Sequence, residues 1–360
     1  MNIVIAGGGT GGHLFPGVAI AQEFVRRDPA ARILFLGTLA GIESRVLPGL
    51  GFALATVPVS GFTGKGILQK LGSLLSVPRA FLRAAACLRR HRADLVVGLG
   101  GYISFPGIAA AKALGIPAVI HEQNSVPGLS NRMLGTLADR VFISYEESRP
   151  FFNAGRTVFS GMPVRMTHAG AASEPDDRRL CVFICGGSQG AHAINEAMLE
   201  GLADLESVKG SIRFIHQTGA RDAAVVAQGY ADRGFEAAVS PFIDDMYGSY
   251  AQAHVVVSRA GASTLAELAL CGKPSILIPY PHAAHNHQEH NASAFVAQGA
   301  ALLLLASELS GRSLAQALMG LHADREKLAA MAVQARRLAQ PDAAGLVVEE
   351  CCRLAAAKGG

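Results

Sequence analysis

Gly7-Gly8-Gly9-Thr10-Gly11-Gly12-His13 brings two kinds of chemistry together in one short run. Its glycines let backbone N–H groups approach an anion with no side chain in the way, and a helix start behind them adds a favourable dipole. His13 follows directly and exchanges protons near neutral pH. The device recurs at Cys185-Gly186-Gly187-Ser188-Gln189-Gly190-Ala191, again after an apolar run. Further on, Ser258-Arg259-Ala260-Gly261-Ala262-Ser263-Thr264-Leu265-Ala266-Glu267 sets small residues and hydroxyls before a carboxylate. Backbone N–H groups with Ser and Thr hydroxyls suit a diphosphate, and a carboxylate nearby accepts from vicinal ribose hydroxyls. A plain role for Glu267 as a dipole partner at a helix start is the competing reading, at about 0.3–1 kcal/mol.

The type of phosphorylated ligand narrows by elimination. Gly7, Gly9 and Gly12 satisfy the GxGxxG spacing of a dinucleotide site, but such a site needs an acid at the end of the second strand. That strand ends Phe35-Leu36-Gly37-Thr38, and Glu43 lies too far along to serve. A P-loop fails as well, because Gly64-Lys65 is followed by Gly66. A phosphate or pyrophosphate loop without an adenosine site beside it remains.

The elements that must position these residues follow a βαβ rhythm. Apolar strand-like runs lie at Asn2 to Ala6, Arg32 to Gly37, Phe52 to Val57, Leu95 to Leu99, Ala118 to His121 and Arg140 to Ser144. The rhythm restarts at Arg179 to Cys185 and continues through Ser211 to Gln217, Glu236 to Ser240, His254 to Ser258, Ser275 to Pro279 and Ala300 to Leu305. Buried parallel strands have this character. At about 150 residues per domain, 360 residues suggest two α/β domains, with the boundary near Gly161 to Gly170. We expect domains at 1–162 and 163–341, with a last helix from Asp342 to Ala357 packing back across the boundary. Ligands of such sheets bind beyond the strand carboxyl ends, so two sheets facing each other make a cleft.

Composition removes several classes of function. A formal charge of +4, with no basic run interleaved with aromatics, argues against nucleic acid. The six cysteines lack CxxC or finger spacing and sit in apolar surroundings, as reduced core residues of a cytoplasmic protein do. Residues 1–22 lack the charged start of a signal peptide. The uncharged run Leu95 to Ala111 is interrupted by Gly98, Gly100, Gly101 and Pro106, and a spanning helix needs about 20 continuous apolar residues. Any membrane attachment is therefore peripheral. Its surface is expected in Ser44 to Ala93, which has no acid and mixes basic with apolar residues in a helix broken at Pro78. Lys70, Leu74, Leu75, Arg79, Phe81 and Arg83 form the expected face toward anionic lipid, and a core helix with a solvated basic side is the alternative.

Eight motifs in order resemble, from end to end, those of the MurG-type UDP-N-acetylglucosamine transferases, which convert lipid I to lipid II in peptidoglycan synthesis. They are GGTGGHLFPGVAIA at Gly8, GLGGYISFPG at Gly98, HEQNSVPGLSNR at His121, GMPVR at Gly161, GGSQGA at Gly186, FIDDM at Phe242, RAGASTLAE at Arg259 and HQEHNA at His287. The resemblance implies a GT-B fold, two Rossmann-like doubly wound parallel-sheet domains facing a central cleft, with the acceptor on the first and the sugar nucleotide on the second. It implies that Ile243 meets the uracil edge through its backbone, Arg165 lies near the base and Glu267 holds the ribose. Ser188 with Ala262, Ser263 and Thr264 takes the donor diphosphate, and Gln288 and Asn291 read the sugar hydroxyls. Thr10, Gly11, Gly12, His13 and Asn124 close over the donor, while Gly9, Gly11, Gly101 and Tyr102 receive the acceptor diphosphate.

The implied reaction is inverting transfer without a required metal or cofactor, peripheral to the cytoplasmic face of the bacterial plasma membrane. It needs a base for the acceptor hydroxyl and stabilisation of the departing diphosphate. His13 is the first candidate base and Glu122 the second. One departure is His285, where relatives commonly carry an acid, within the cluster His282, His285, His287 and His290; these spacings fit no standard zinc site. Two other functions share the scaffold: a UDP-sugar 2-epimerase, which needs no lipid acceptor, and a non-catalytic membrane-associated sugar-nucleotide binder.

Overall fold

The computed structural model describes residues 1–58, 67–165, 179–187 and 189–359, with backbone only for 67–77 and 359. Ser188 and the side chains of Lys70, Leu74 and Leu75 lie outside the described residues. The chain divides into two compact units, Met1–Arg165 with Asp342–Gly360, and Met166–Pro341.

The first unit runs β1 (Asn2–Ala6), α1 (Gly11–Arg27), β2 (Arg32–Gly37), α2 (Glu43–Gly49), β3 (Ala53–Thr56), α3 (Ile67–His91), β4 (Leu95–Gly98), α4 (Gly101–Ala113), β5 (Ala118–Glu122), α5 (Leu129–Leu137), β6 (Arg140–Ile143) and β7 (Thr157–Phe159). Its seven strands order as β3-β2-β1-β4-β5-β6-β7, all parallel, with Ile3 opposite Ile33 on one side and Leu95 on the other. Chain direction across the sheet reverses between β1 and β4. Loops leaving those neighbouring strands part to opposite faces, and the opening between them is where such sheets bind ligands.

The second unit repeats the plan with β8 (Leu180–Cys185), α6 (His192–Gly201), β9 (Ile212–Gln217), α7 (Ala223–Asp232), β10 (Ala237–Ser240), α8 (Met246–Gln252), β11 (Val255–Ser258), α9 (Ala262–Cys271), β12 (Ser275–Leu277), α10 (His287–Ala297), β13 (Ala301–Leu303), α11 (Gly311–Ala323) and α12 (Arg325–Arg337). Its sheet is β10-β9-β8-β11-β12-β13, also parallel, with the reversal between β8 and β11. The last helix, α13 (Ala343–Gly359), buries Val347, Val348 and Cys351 in the first unit, in one core with Leu14, Val18 and Phe24 of α1.

Every strand-like run of the sequence forms a strand, to within two residues at either end. The short β7 at the sheet edge has too few residues to show any pattern in sequence. Two further expectations are corrected. Helix α3 continues through Pro78 instead of breaking there. Cys87 and Cys352 are half-buried, while the other four cysteines are core residues, and all six are free thiols. The uncharged run at Leu95 divides into β4 and α4, and among the described residues no helix is long and apolar enough to cross a membrane.

Candidate active site

In the first unit the glycine run is held from beneath by Glu43. This buried carboxylate accepts from Gly9 N–H at 2.8 Å, Thr38 N–H at 2.8 Å and the Thr38 hydroxyl at 3.0 Å. A Cβ on Gly8 would stand 2.6 Å from its carboxyl carbon, so the close approach requires glycine there. The sequence places Glu43 too far along the chain to hold a ribose, and it gives no sign of this second role beneath the loop. Helix α2 opens on Glu43 and turns it back beneath the loop, where its oxygens meet the loop and Thr38 in place of a ribose. Gly9 N–H is thereby spent, which removes it from the donors offered to an acceptor diphosphate.

Around this loop the residues expected at the acceptor site do converge. A Cβ on Gly9 would lie 3.8 Å from the Tyr102 hydroxyl, and one on Gly101 would lie 3.7 Å from His13 Cδ2. Gly101 itself has φ +72°, a left-handed conformation that favours glycine. The turn is tied down on two sides: Ser130 Oγ donates to Gly101 O at 2.7 Å, and Ser104 Oγ lies 2.7 Å from Gly100 O and 2.6 Å from Ala6 O. Thr10 and Gly12 are exposed beside Gly11 at the start of α1, and the Arg165 guanidinium lies over the Phe15 ring at 5.1 Å.

Glu122 does not fit the role of a second base. It is 2% exposed, and both carboxylate oxygens accept hydrogen bonds. Asn124 N–H donates to Oε1 at 2.9 Å and its side-chain amide at 3.3 Å, while Asn131 Nδ2 donates to Oε2 at 2.9 Å and Gly128 N–H at 3.3 Å. Burial raises its pKa above the ordinary carboxyl range and these donors oppose the rise. Glu122 therefore anchors the loop after β5, and Asn124 is one of the groups that hold it. His13 Nδ1 lies 3.1 Å from Gln123 Oε1.

The second unit holds a cavity of about 620 Å³ between the loops that follow β8 and β11, lined among others by Gly186, Gly187, Arg259, Thr264, Tyr280 and Gln288. Arg259 brings the positive charge that small residues and hydroxyls cannot supply. It donates to the Ile278 and Pro279 carbonyls at 3.1 Å and stacks over Tyr280 at 5.6 Å. The motif contains this residue, yet nothing in its spacing marks the side chain as facing a ligand. Gln288 Oε1 accepts from Tyr280 N–H at 2.9 Å, so the amide N–H groups are the part of this side chain with donors to offer the cavity. Asn291, one turn further along α10, is wholly buried and does not line the cavity, so a direct contact with sugar hydroxyls is corrected.

Ala262 and Ser263 open α9, where the Ser263 hydroxyl oxygen is buried without a hydrogen-bond partner among the described residues. Glu267 is half-buried on the same helix and accepts from the Tyr250 hydroxyl at 3.0 Å. Burial, helped by the Glu267 charge, raises the Tyr250 phenol well above its ordinary range, so it remains a donor. Ile243 N–H donates to Gln217 Oε1 at 2.9 Å, and Gln217 Nε2 donates to Gly187 O at 2.9 Å. Gln217, unmarked in the sequence, links the glycine turn to the Ile243 segment and engages the Ile243 N–H. In the histidine cluster His282 lines the cavity, while His285 and Asn286 take left-handed φ of 53° and 52° before α10.

Comparison with known proteins follows the same two-part division. The glycosyltransferase family 28 N-terminal domain matches residues 3–143, and its C-terminal domain matches residues 181–347. The UDP-N-acetylglucosamine--N-acetylmuramyl-(pentapeptide) pyrophosphoryl-undecaprenol N-acetylglucosamine transferase of Myxococcus xanthus is 47% identical over 98% of this chain and 93% of its own length. The chain belongs to this family, the MurG-type transferases. The Geobacter sulfurreducens member is 45% identical over 97% of this chain and 98% of its own. Among solved structures, Acinetobacter baumannii MurG superposes with a TM-score of 0.81 at 31% identity, covering 98% of this chain and 99% of that one. The Neisseria meningitidis UDP-GlcNAc 2-epimerase, solved with UDP-GlcNAc, reaches a TM-score of 0.68 at 13% identity, a likeness of GT-B fold alone. Membership of the MurG-type family sets the epimerase reading aside.

Proposed function

We propose that this chain moves N-acetylglucosamine from UDP-N-acetylglucosamine to the C4 hydroxyl of the muramyl sugar of lipid I, giving lipid II and UDP. The observation that carries this reading is that each unit has its own glycine turn and helix start at the reversal point of its sheet. Two substrates that each bear a diphosphate need two such places, whereas an epimerase needs one. The first unit takes lipid I and the second the sugar nucleotide.

In the reaction His13 Nε2 accepts the proton as the acceptor O–H bond breaks. The oxygen forms its bond to the anomeric carbon in line, and the carbon–oxygen bond to UDP breaks with its electron pair going to the diphosphate. Arg259, the Thr264 hydroxyl and the N–H groups that open α9 stabilise that charge. Glu267, kept in place by Tyr250, accepts from the ribose, the Ile243 carbonyl meets the uracil, and Gln288 donates to the sugar. Ser188 joins the diphosphate site on the strength of the motif. Gly11, Gly101 and Tyr102 receive the acceptor diphosphate.

Attachment to the membrane is peripheral, at the cytoplasmic face, through a helical layer in which α3, α4 and α5 carry no acid at all. Arg79, Arg83 and Leu82 are exposed there, with Phe81 half-buried beside them. Incubation with donor alone and with donor plus lipid I tests the reading. UDP release and lipid II are expected only with both, and epimerised donor without acceptor overturns it.

A further inference from the structure

Gln123 follows directly on β5 and is 2% exposed, so its amide must find all its partners inside the protein. Its Nε2 lies 2.9 Å from the Leu99 carbonyl oxygen and 2.9 Å from the His121 carbonyl oxygen. Two protons on that nitrogen meet two acceptors. The turned-over amide would instead set Oε1 2.9 Å from two oxygens that cannot donate, so this orientation is fixed. His121 agrees with it: its Nε2 donates to Gly161 O at 3.0 Å, and its Nδ1 faces the same Gln123 nitrogen at 3.4 Å. Burial lowers the His121 pKa to about 4, so that ring is neutral and its Nδ1 presents a lone pair.

What Gln123 then turns toward His13 is an oxygen, 3.1 Å from Nδ1. An amide oxygen only accepts, so the proton of a neutral His13 ring belongs on Nδ1 and the lone pair on Nε2. We propose that Gln123 is a positioning residue that holds His13 in the Nδ1–H tautomer, with Nε2 ready to take a proton. This rests on the reading of His13 as the base and explains how the chain prepares it without a carboxylate. An unrestrained neutral imidazole populates both tautomers, and only one serves as a base through Nε2. The Gly101 turn lies beside this edge of the ring, since a Cβ there would stand 3.9 Å from His13 Nε2, in ordinary van der Waals contact.

The test is a long-range ¹⁵N–¹H correlation spectrum of the full chain with labelled histidine, at a pH where His13 is neutral, with the His13→Ala spectrum assigning the signal. In the wild type we expect a protonated Nδ1 and an unprotonated Nε2. Gln123→Met should mix the tautomers and lower kcat by about tenfold or more while leaving donor KM near its wild-type value. A wild-type ring protonated on Nε2 overturns the proposal, as does a Gln123→Met protein with unaltered tautomer and kcat. If His13→Ala retains full kcat, the base assignment fails separately, because the spectrum reads the tautomer whatever the ring does in turnover.

Discussion

His13 and Glu267 are assigned to different steps, and their variants should separate in kinetics. Loss of the base should appear in kcat: His13→Ala is expected to lower it by about a hundredfold or more with little change in donor KM. Loss of a ribose acceptor should appear in binding: Glu267→Ala is expected to raise donor KM by about tenfold, one hydrogen bond to a charged group. Steady-state rates with lipid I and varied donor decide both, and a His13→Ala enzyme with normal kcat or a Glu267→Ala enzyme with normal KM removes that assignment. At this scale the sequence was legible where chemistry follows the chain locally, as in the glycine runs and His13. It was illegible where a role depends on a distant partner. Gln123 and Gln217 act on groups 110 and 26 residues away, Glu43 turns back across 34, and Glu122 is enclosed by Asn131 from the next helix.

The elements were almost wholly legible, because each buried parallel strand is a short apolar run closed by a turn, and hydrophobic continuity is a local property. Side-chain exposure along a helix is not, and α5 illustrates the difference. Leu129, Met133 and Leu137 recur at fourth positions and are 69%, 51% and 37% exposed, while Leu134 faces the core that α3 and α4 share. This acid-free layer thus presents apolar side chains on α5 as well as on α3. Sedimentation with anionic vesicles should weaken about a hundredfold when Lys70, Arg79 and Arg83 become Ser, at roughly 1 kcal/mol per basic residue. Replacing Leu129, Met133 and Leu137 by Ser should weaken it further and at high salt too, where charge is screened. Vesicle binding that survives both sets would place the membrane face elsewhere.

Each unit of the whole molecule encloses a neutral histidine, which gives the fold a common response to acid. Burial lowers His121 to about 4 in the first unit and His216 to about 3 in the second, where His216 is held by Tyr230 and Asn195. Against an ordinary value near 6.5, the unfolded chain binds more protons than the folded one between pH 6.5 and about 4. The contribution of neutral burial is therefore complete above pH 6.5 and is lost as pH falls through that window. Glu122, whose folded pKa is raised, acts in the opposite sense as one group against two. Urea unfolding at pH 5 should show about 2 kcal/mol less stability per histidine than at pH 7.5. Midpoints that do not move between those pH values would rule out this coupling. The sequence shows the histidines but not their burial, which comes only when β5 and β9 are flanked on both sides by other strands.

Glu43 gives the first glycine turn a permanent occupant. A carboxylate attached to the chain competes for Gly9 N–H at an effective concentration of millimolar or above, as a ligand tethered by a short linker does, so any anion reaching that N–H must first displace it. Part of this turn is therefore already saturated, and the acceptor diphosphate proposed for this unit falls to groups further along, at the start of α1 and in the Gly101 turn.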